Sequence, residues 1–215
     1  MNLTRAARFY SQLVAVHSLF VIQLVFVGHR AQLKRHPLGD LAHRATQVKS
    51  MKIMVFLHGT AIMQRSALGR TREERVRQVI DRDESIYDFV SYVPVGNAVT
   101  KMQTWNEQDA EIVYLSSHSR AEDVEKDRWV LMTHGFPNGW VFFCQNDDEY
   151  PDVAERVSPD ILIEDDCESI GGEKEMTNPH LRPEVKAKIK SVVVKEFGGL
   201  DHLPDEISAL ESYSK

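Results

Sequence analysis

Three short polar clusters follow apolar runs in this chain: His58-Gly59-Thr60 after MKIMVFL, Ser116-Ser117-His118 after EIVYL, and Glu164-Asp165-Asp166 at the end of PDILIE. If the runs are parallel strands, the clusters share one sheet edge, the edge at which α/β proteins place their chemistry. Adjacent carboxylates are costly unless they meet a cation or donors. Asp165 and Asp166 are therefore candidate ligands for Mg2+, which takes oxygen donors and keeps waters and phosphate oxygens. Gly59, Thr60, Ser116 and Ser117 offer hydroxyls and backbone N–H groups suited to a phosphate. His58 exchanges protons near neutral pH, which makes His58 and Asp165 the candidate catalytic pair. The plainer alternatives stand beside these. Asp165 and Asp166 would cap a helix or solvate a loop. The serines would only terminate a strand, and His58 would be a structural histidine whose ring nitrogens meet the two carboxylates.

The elements that must position these residues alternate along the chain. Short apolar runs at Met51–Leu57, Glu111–Leu115, Gly139–Cys144, Pro159–Glu164 and Ser191–Phe197 read as strands covered on both faces. Between them, Val95–Gln108 carries Val95, Ala98, Val99, Met102 and Trp105 at helical spacing. Ser119 with Glu122 forms a capping-box signature for a helix ending near Gly135. Short helices are expected over 147–157, 182–190 and 204–213. The pattern predicts an α/β fold: a Rossmann-like three-layer sandwich around a central, mostly parallel five-stranded sheet. Thr60–Tyr92 is too short and too polar for a domain, so it is expected to be a minimal cap over the end of the first strand. Its arginines, Arg70, Arg72, Arg75, Arg77 and Arg82, would either line a solvated helix face or bring positive charge to an anionic ligand.

The order of these motifs resembles that of the haloacid dehalogenase-like (HAD-like) superfamily over about residues 51–200. FLHGT, Phe56–Thr60, sits where that family has its first motif, YLSS places Ser116 at the second, and ILIEDD places Asp165 and Asp166 at the fourth. The resemblance implies a Mg2+-dependent phosphohydrolase acting on a small phosphate ester through His58 and the Asp165-Asp166 pair. It also implies an alternative: a non-catalytic protein of the same fold that binds a phosphorylated ligand or a protein partner. The position of the family's nucleophilic Asp holds Phe56 and that of its second Asp holds His58. No Lys lies between Arg128 and Glu173 to serve as the third motif, where Arg156 is the candidate substitute.

Charge divides the chain. The first fifty residues carry seven of its 26 Lys and Arg but one of its 32 acids, a net +6, which leaves −12 on the other 165. A body so acidic repels phosphate backbones, which argues against nucleic acid as a partner. Two cysteines without metal spacing suit a reduced, cytoplasmic protein. Residues 1–50 form an N-terminal extension ahead of a domain at 51–215. Within it, Phe9–Gly28 has no charged residue and is long enough for one bilayer core. It is a candidate membrane anchor, with an amphipathic segment or a start codon set too early as the alternatives.

Overall fold

Alternate residues of KIMVF point to opposite sides of a strand, and here both sides are covered. Ile53 and Val55 enter one apolar cluster and Met54 another, each without exposed surface. The computed structural model describes residues 50–213. The expected N-terminal extension, with its candidate anchor at 9–28, lies outside the described residues apart from Ser50. Among the described residues, no helix is long and apolar enough to cross a membrane.

In chain order the elements are β1 (Lys52–Phe56), β2 (Ile62–Met63), α1 (Arg72–Ile80), β3 (Val93–Pro94), α2 (Ala98–Asn106), β4 (Glu111–Leu115), α3 (Ala121–His134), β5 (Val141–Phe142), α4 (Tyr150–Val157), β6 (Ile161–Asp165), α5 (Pro183–Lys186), β7 (Lys190–Val194) and α6 (Ile207–Glu211). Five strands form one sheet in the order β5-β4-β1-β6-β7, and every pairing is parallel. One face carries α2, α3 and α6 through Met102, Trp105, Val124, Leu131 and Leu210. The other carries α4 and the segment around α5 through Val153, Ala154, Leu181 and Ile189. This is the expected Rossmann-like three-layer α/β sandwich.

Several boundaries differ from the sequence reading, for local reasons. β5 keeps two residues of the six expected, because it pairs with β4 only at Tyr114–Val141 and Leu115–Phe142. β6 runs one residue further, to Asp165, whose backbone pairs with Val194 of β7. Arg120, not Ser119, precedes the first turn of α3 and gives no side-chain cap. Gly135 ends that helix at φ 75° as expected. The cap contains a feature that the sequence reading missed: β2 and β3 pair antiparallel and close residues 60–95 on themselves. With α1 they enclose a small core of Met63, Ala67, Val76, Val93, Val95 and Phe197.

Candidate functional site

Parallel pairing of β4, β1, β6 and β7 brings four strand ends to one edge. His58 follows β1, Ser116 to His118 follow β4, Asp165 ends β6, and Glu196 follows β7. The cap lies above them. Together they bound a chamber of about 290 Å3. Phe56, His58, Gly59, Ser117, His118 and Asp165 form its floor, while Ile86, Tyr87, Phe89 and Tyr92 of the cap form its roof. Tyr150 of α4, with Cys167, Ile170, Glu196 and Phe197, closes the sides. Six aromatic rings thus face a space at the lower end of the range of small-molecule pockets.

The sequence placed His58 beside Asp165 and Asp166. The structure places it beside Asp127 of α3. His58 Nε2 lies 3.1 Å from Asp127 Oδ1, and Ser116 Oγ donates to Asp127 Oδ2 at 2.5 Å. On the far side of the ring, Ser117 Oγ is 2.7 Å from His58 Nδ1. Serine, imidazole and carboxylate in line form the arrangement that can activate a hydroxyl. Acyl transfer also needs donors for an oxyanion. The two nearest amides are turned elsewhere: Ser117 N points at His58 Nδ1 at 3.5 Å, and His118 N donates to Ser116 Oγ at 3.0 Å. The line therefore serves to hold the His58 ring.

His118 completes this corner. Its ring stands 4.5 Å from that of His58 and 4.2 Å from that of Phe89. Burial, helped by the neighbouring His58, lowers its pKa and favours the neutral ring. Among the described residues, His118 Nε2 has no hydrogen-bond partner; it is buried 3.7 Å from Asp127 Oδ1.

The three acids after β6 each anchor backbone or side chains. Glu164 accepts from the amides of Thr177 at 2.6 Å and Asn178 at 2.9 Å. Asp165 accepts from Thr60 Oγ1 at 2.7 Å and from Cys167 N at 2.9 Å, and burial raises its pKa. Asp166 accepts from Glu196 N at 3.0 Å and pairs with Lys195 at 2.8 Å. Those two donors hold its pKa below the usual value against the opposing effect of burial. Each oxygen of the pair assigned to Mg2+ thus meets a protein donor. Of the four residues assigned to a phosphate, Thr60 and Ser116 are fully buried with their hydroxyls committed to carboxylates, while Gly59 and Ser117 line the chamber. Gly59 has φ 83°, and a Cβ there would come within 2.8 Å of Asp165 Oδ2. The turn after β1 passes so close to the side chains of Asp165 and Glu196, at a positive φ, that glycine suits it.

The cap arginines are divided. Arg72 reaches Glu168 at 2.9 Å and Arg75 reaches the carbonyl of Phe197 at 3.2 Å, so they tie the cap to the segments after β6 and β7. Arg77 pairs with Asp81 at the surface. Among the described residues, no Lys or Arg lines the chamber. Arg156, the candidate third-motif cation, pairs with Asp148 at 2.8 Å.

Asp127 and Glu196 are the site residues that sequence reasoning missed. A signal existed for the first. Asp127 stands three residues after Val124 and four before Leu131, on the apolar stripe of α3, where an acid is rarely buried without a partner. Glu196 follows the apolar run of β7 at the same sheet edge. Burial raises its pKa to about 7, although it accepts from Ser169 N at 2.7 Å and Ser169 Oγ at 2.6 Å.

No protein-family model and no curated protein matches the chain. Among solved structures it is similar to a universal stress protein in complex with cAMP. The match has 10% identity and a TM-score of 0.30, and covers 68% of this chain and 98% of that one. The expected membership of the HAD-like superfamily is corrected: no family model supports it. The geometry supplies a physical reason. The nucleophile's position is filled by Phe56, whose ring packs edge-on against Tyr150 at 5.1 Å. The Mg2+-dependent phosphohydrolase, and with it the hydrolase, phosphatase and magnesium assignments, is withdrawn.

Proposed function

We propose that this domain binds a small planar molecule in the chamber at the carboxyl edge of its sheet. The observation that carries this reading is the lining: six aromatic rings around about 290 Å3, with the polar groups of His58, Ser117 and Glu196 at discrete points. Rings give stacking area, and a few polar groups orient what they hold. Among the described residues, Asp165, Glu175 and Glu196 border the chamber and no Lys or Arg does. A neutral heteroaromatic ligand therefore suits it better than a phosphorylated one. A phosphate there would have His58, His118 and Ser117 as its partners and three carboxylates nearby.

Thermal unfolding with a panel of free purines, nucleosides, their 5′-monophosphates and simple phenols tests this. A ligand at about 100 times its Kd stabilises by about 2.7 kcal/mol, a shift of several degrees for a domain of this size. Neutral ring compounds should raise Tm, the nucleoside at least as much as its monophosphate, and Phe89→Ala should weaken the effect. No shift with any compound, or shifts indifferent to Phe89→Ala, would overturn the reading. A response confined to the monophosphates would replace the neutral ligand with a phosphorylated one.

A further inference from the structure

The corner formed by β1, β4 and α3 holds two imidazoles and one carboxylate whose second oxygen is already engaged. We propose that His58, His118 and Asp127 form a binding site for a divalent transition-metal ion of the zinc type. Their donor atoms all lie within 4.8 Å of one another. His58 Nε2 is 3.1 Å and His118 Nε2 3.7 Å from Asp127 Oδ1. Metal–ligand bonds of ~2.0–2.1 Å at tetrahedral angles place donors ~3.3 Å apart, so the ion enters with small adjustments of side chains already in place.

A second observation points the same way. Among the described residues, His118 Nε2 is buried with no hydrogen-bond partner, an arrangement that costs free energy in a protein interior. The atom faces Asp127 Oδ1, which His58 already occupies. One ion between the three donors satisfies both rings and the oxygen together.

The outer contacts are those a ligand set requires. Ser117 Oγ, 2.7 Å from His58 Nδ1, holds the ring with Nε2 turned inward. Ser116 Oγ takes Asp127 Oδ2 at 2.5 Å and leaves Oδ1 free to coordinate. Such partners orient metal ligands and commonly affect affinity 10- to 100-fold. The rings of Phe89, 4.2 Å from His118, and Tyr92, 5.5 Å from His58, exclude water from one side. Two nitrogen donors select a zinc-like ion over Mg2+, which prefers oxygen. In the absence of metal, His58 Nε2 donates to Asp127.

The test is calorimetric titration of the full chain, stripped with chelator, with Zn2+ and separately with Mg2+. The parent should bind at least one equivalent of Zn2+ and give no heat with Mg2+. His118→Ala removes a donor without breaking a hydrogen bond, so it should fold normally while losing one equivalent relative to the parent. Ser117→Ala should retain that equivalent at about tenfold lower affinity. Unchanged stoichiometry and affinity in His118→Ala would overturn the site, as would equal binding of Mg2+. Because the readout is metal binding, it stands or falls separately from the ligand panel.

Discussion

Glu196 is a carboxylate that the fold holds in an unfavourable place. It borders the chamber beside Asp165, its pKa is raised to about 7 by burial, and two donations from Ser169 only partly offset that cost. In the unfolded chain it titrates near the ordinary glutamate value of 4.5. Below that value both states carry the proton and the stability linked to this group is fully present. As pH rises through the window from about 4.5 to about 7, the unfolded state releases its proton first and stability falls. Asp165, also raised, contributes in the same direction. Glu196→Gln removes the titration and should gain about 1–3 kcal/mol at pH 8 relative to pH 4. Urea denaturation at both values measures it. An equal effect at the two would show that Glu196 does not titrate between the states.

Among elements, α2 and the cap contribute differently. Trp105 of α2 is fully buried against the sheet and donates Nε1 to the carbonyl of Pro204 at 3.0 Å. It joins α2 to the segment leading into α6. Trp105→Ala should cost about 3–5 kcal/mol, read as a fall in denaturation midpoint. A cost below about 1 kcal/mol would mean that the helix does not depend on that anchor. The cap rests on less: a two-residue ladder, a six-residue core and the contacts of Arg72 and Arg75. It forms the roof of the chamber through Tyr87 and Phe89, which join no strand of the main sheet.

For the molecule as a whole, all three apolar clusters of the described residues fall between Ile53 and Leu210. These clusters supply a core of their own, so a fragment of residues 50–215 should melt in one cooperative transition, and its Tm is to be compared with that of the full chain. Circular dichroism on both proteins tests it. An unfolded fragment would show that residues 1–49 contribute to the core. Neither the phosphohydrolase reading nor the cap's hairpin was settled at this scale by motif order. Order along the chain says which strand ends are polar, but not which side chains meet above them.

The sequence by itself determined the layered architecture. Runs such as KIMVF and ILIE carry apolar side chains on both faces, and only a strand between two layers satisfies that pattern. The same runs, with the polar residues that end them, located the functional edge. Helix ends were partly legible: Gly135 stops α3 because glycine tolerates its positive φ, whereas Ser119 is not the cap because the first turn begins at Ala121, with Arg120 at the capping position. Tertiary structure alone decided the partnerships. His58 joins Asp127 because α3 packs on the β1–β4 side of the sheet. Asp165 meanwhile turns to Thr60, and Asp166 to Lys195. Those pairs are 69, 105 and 29 residues apart in the chain. Charge and hydrogen bonding act over a few ångströms, and only the packing of helices on a parallel sheet brings such distant residues within that range.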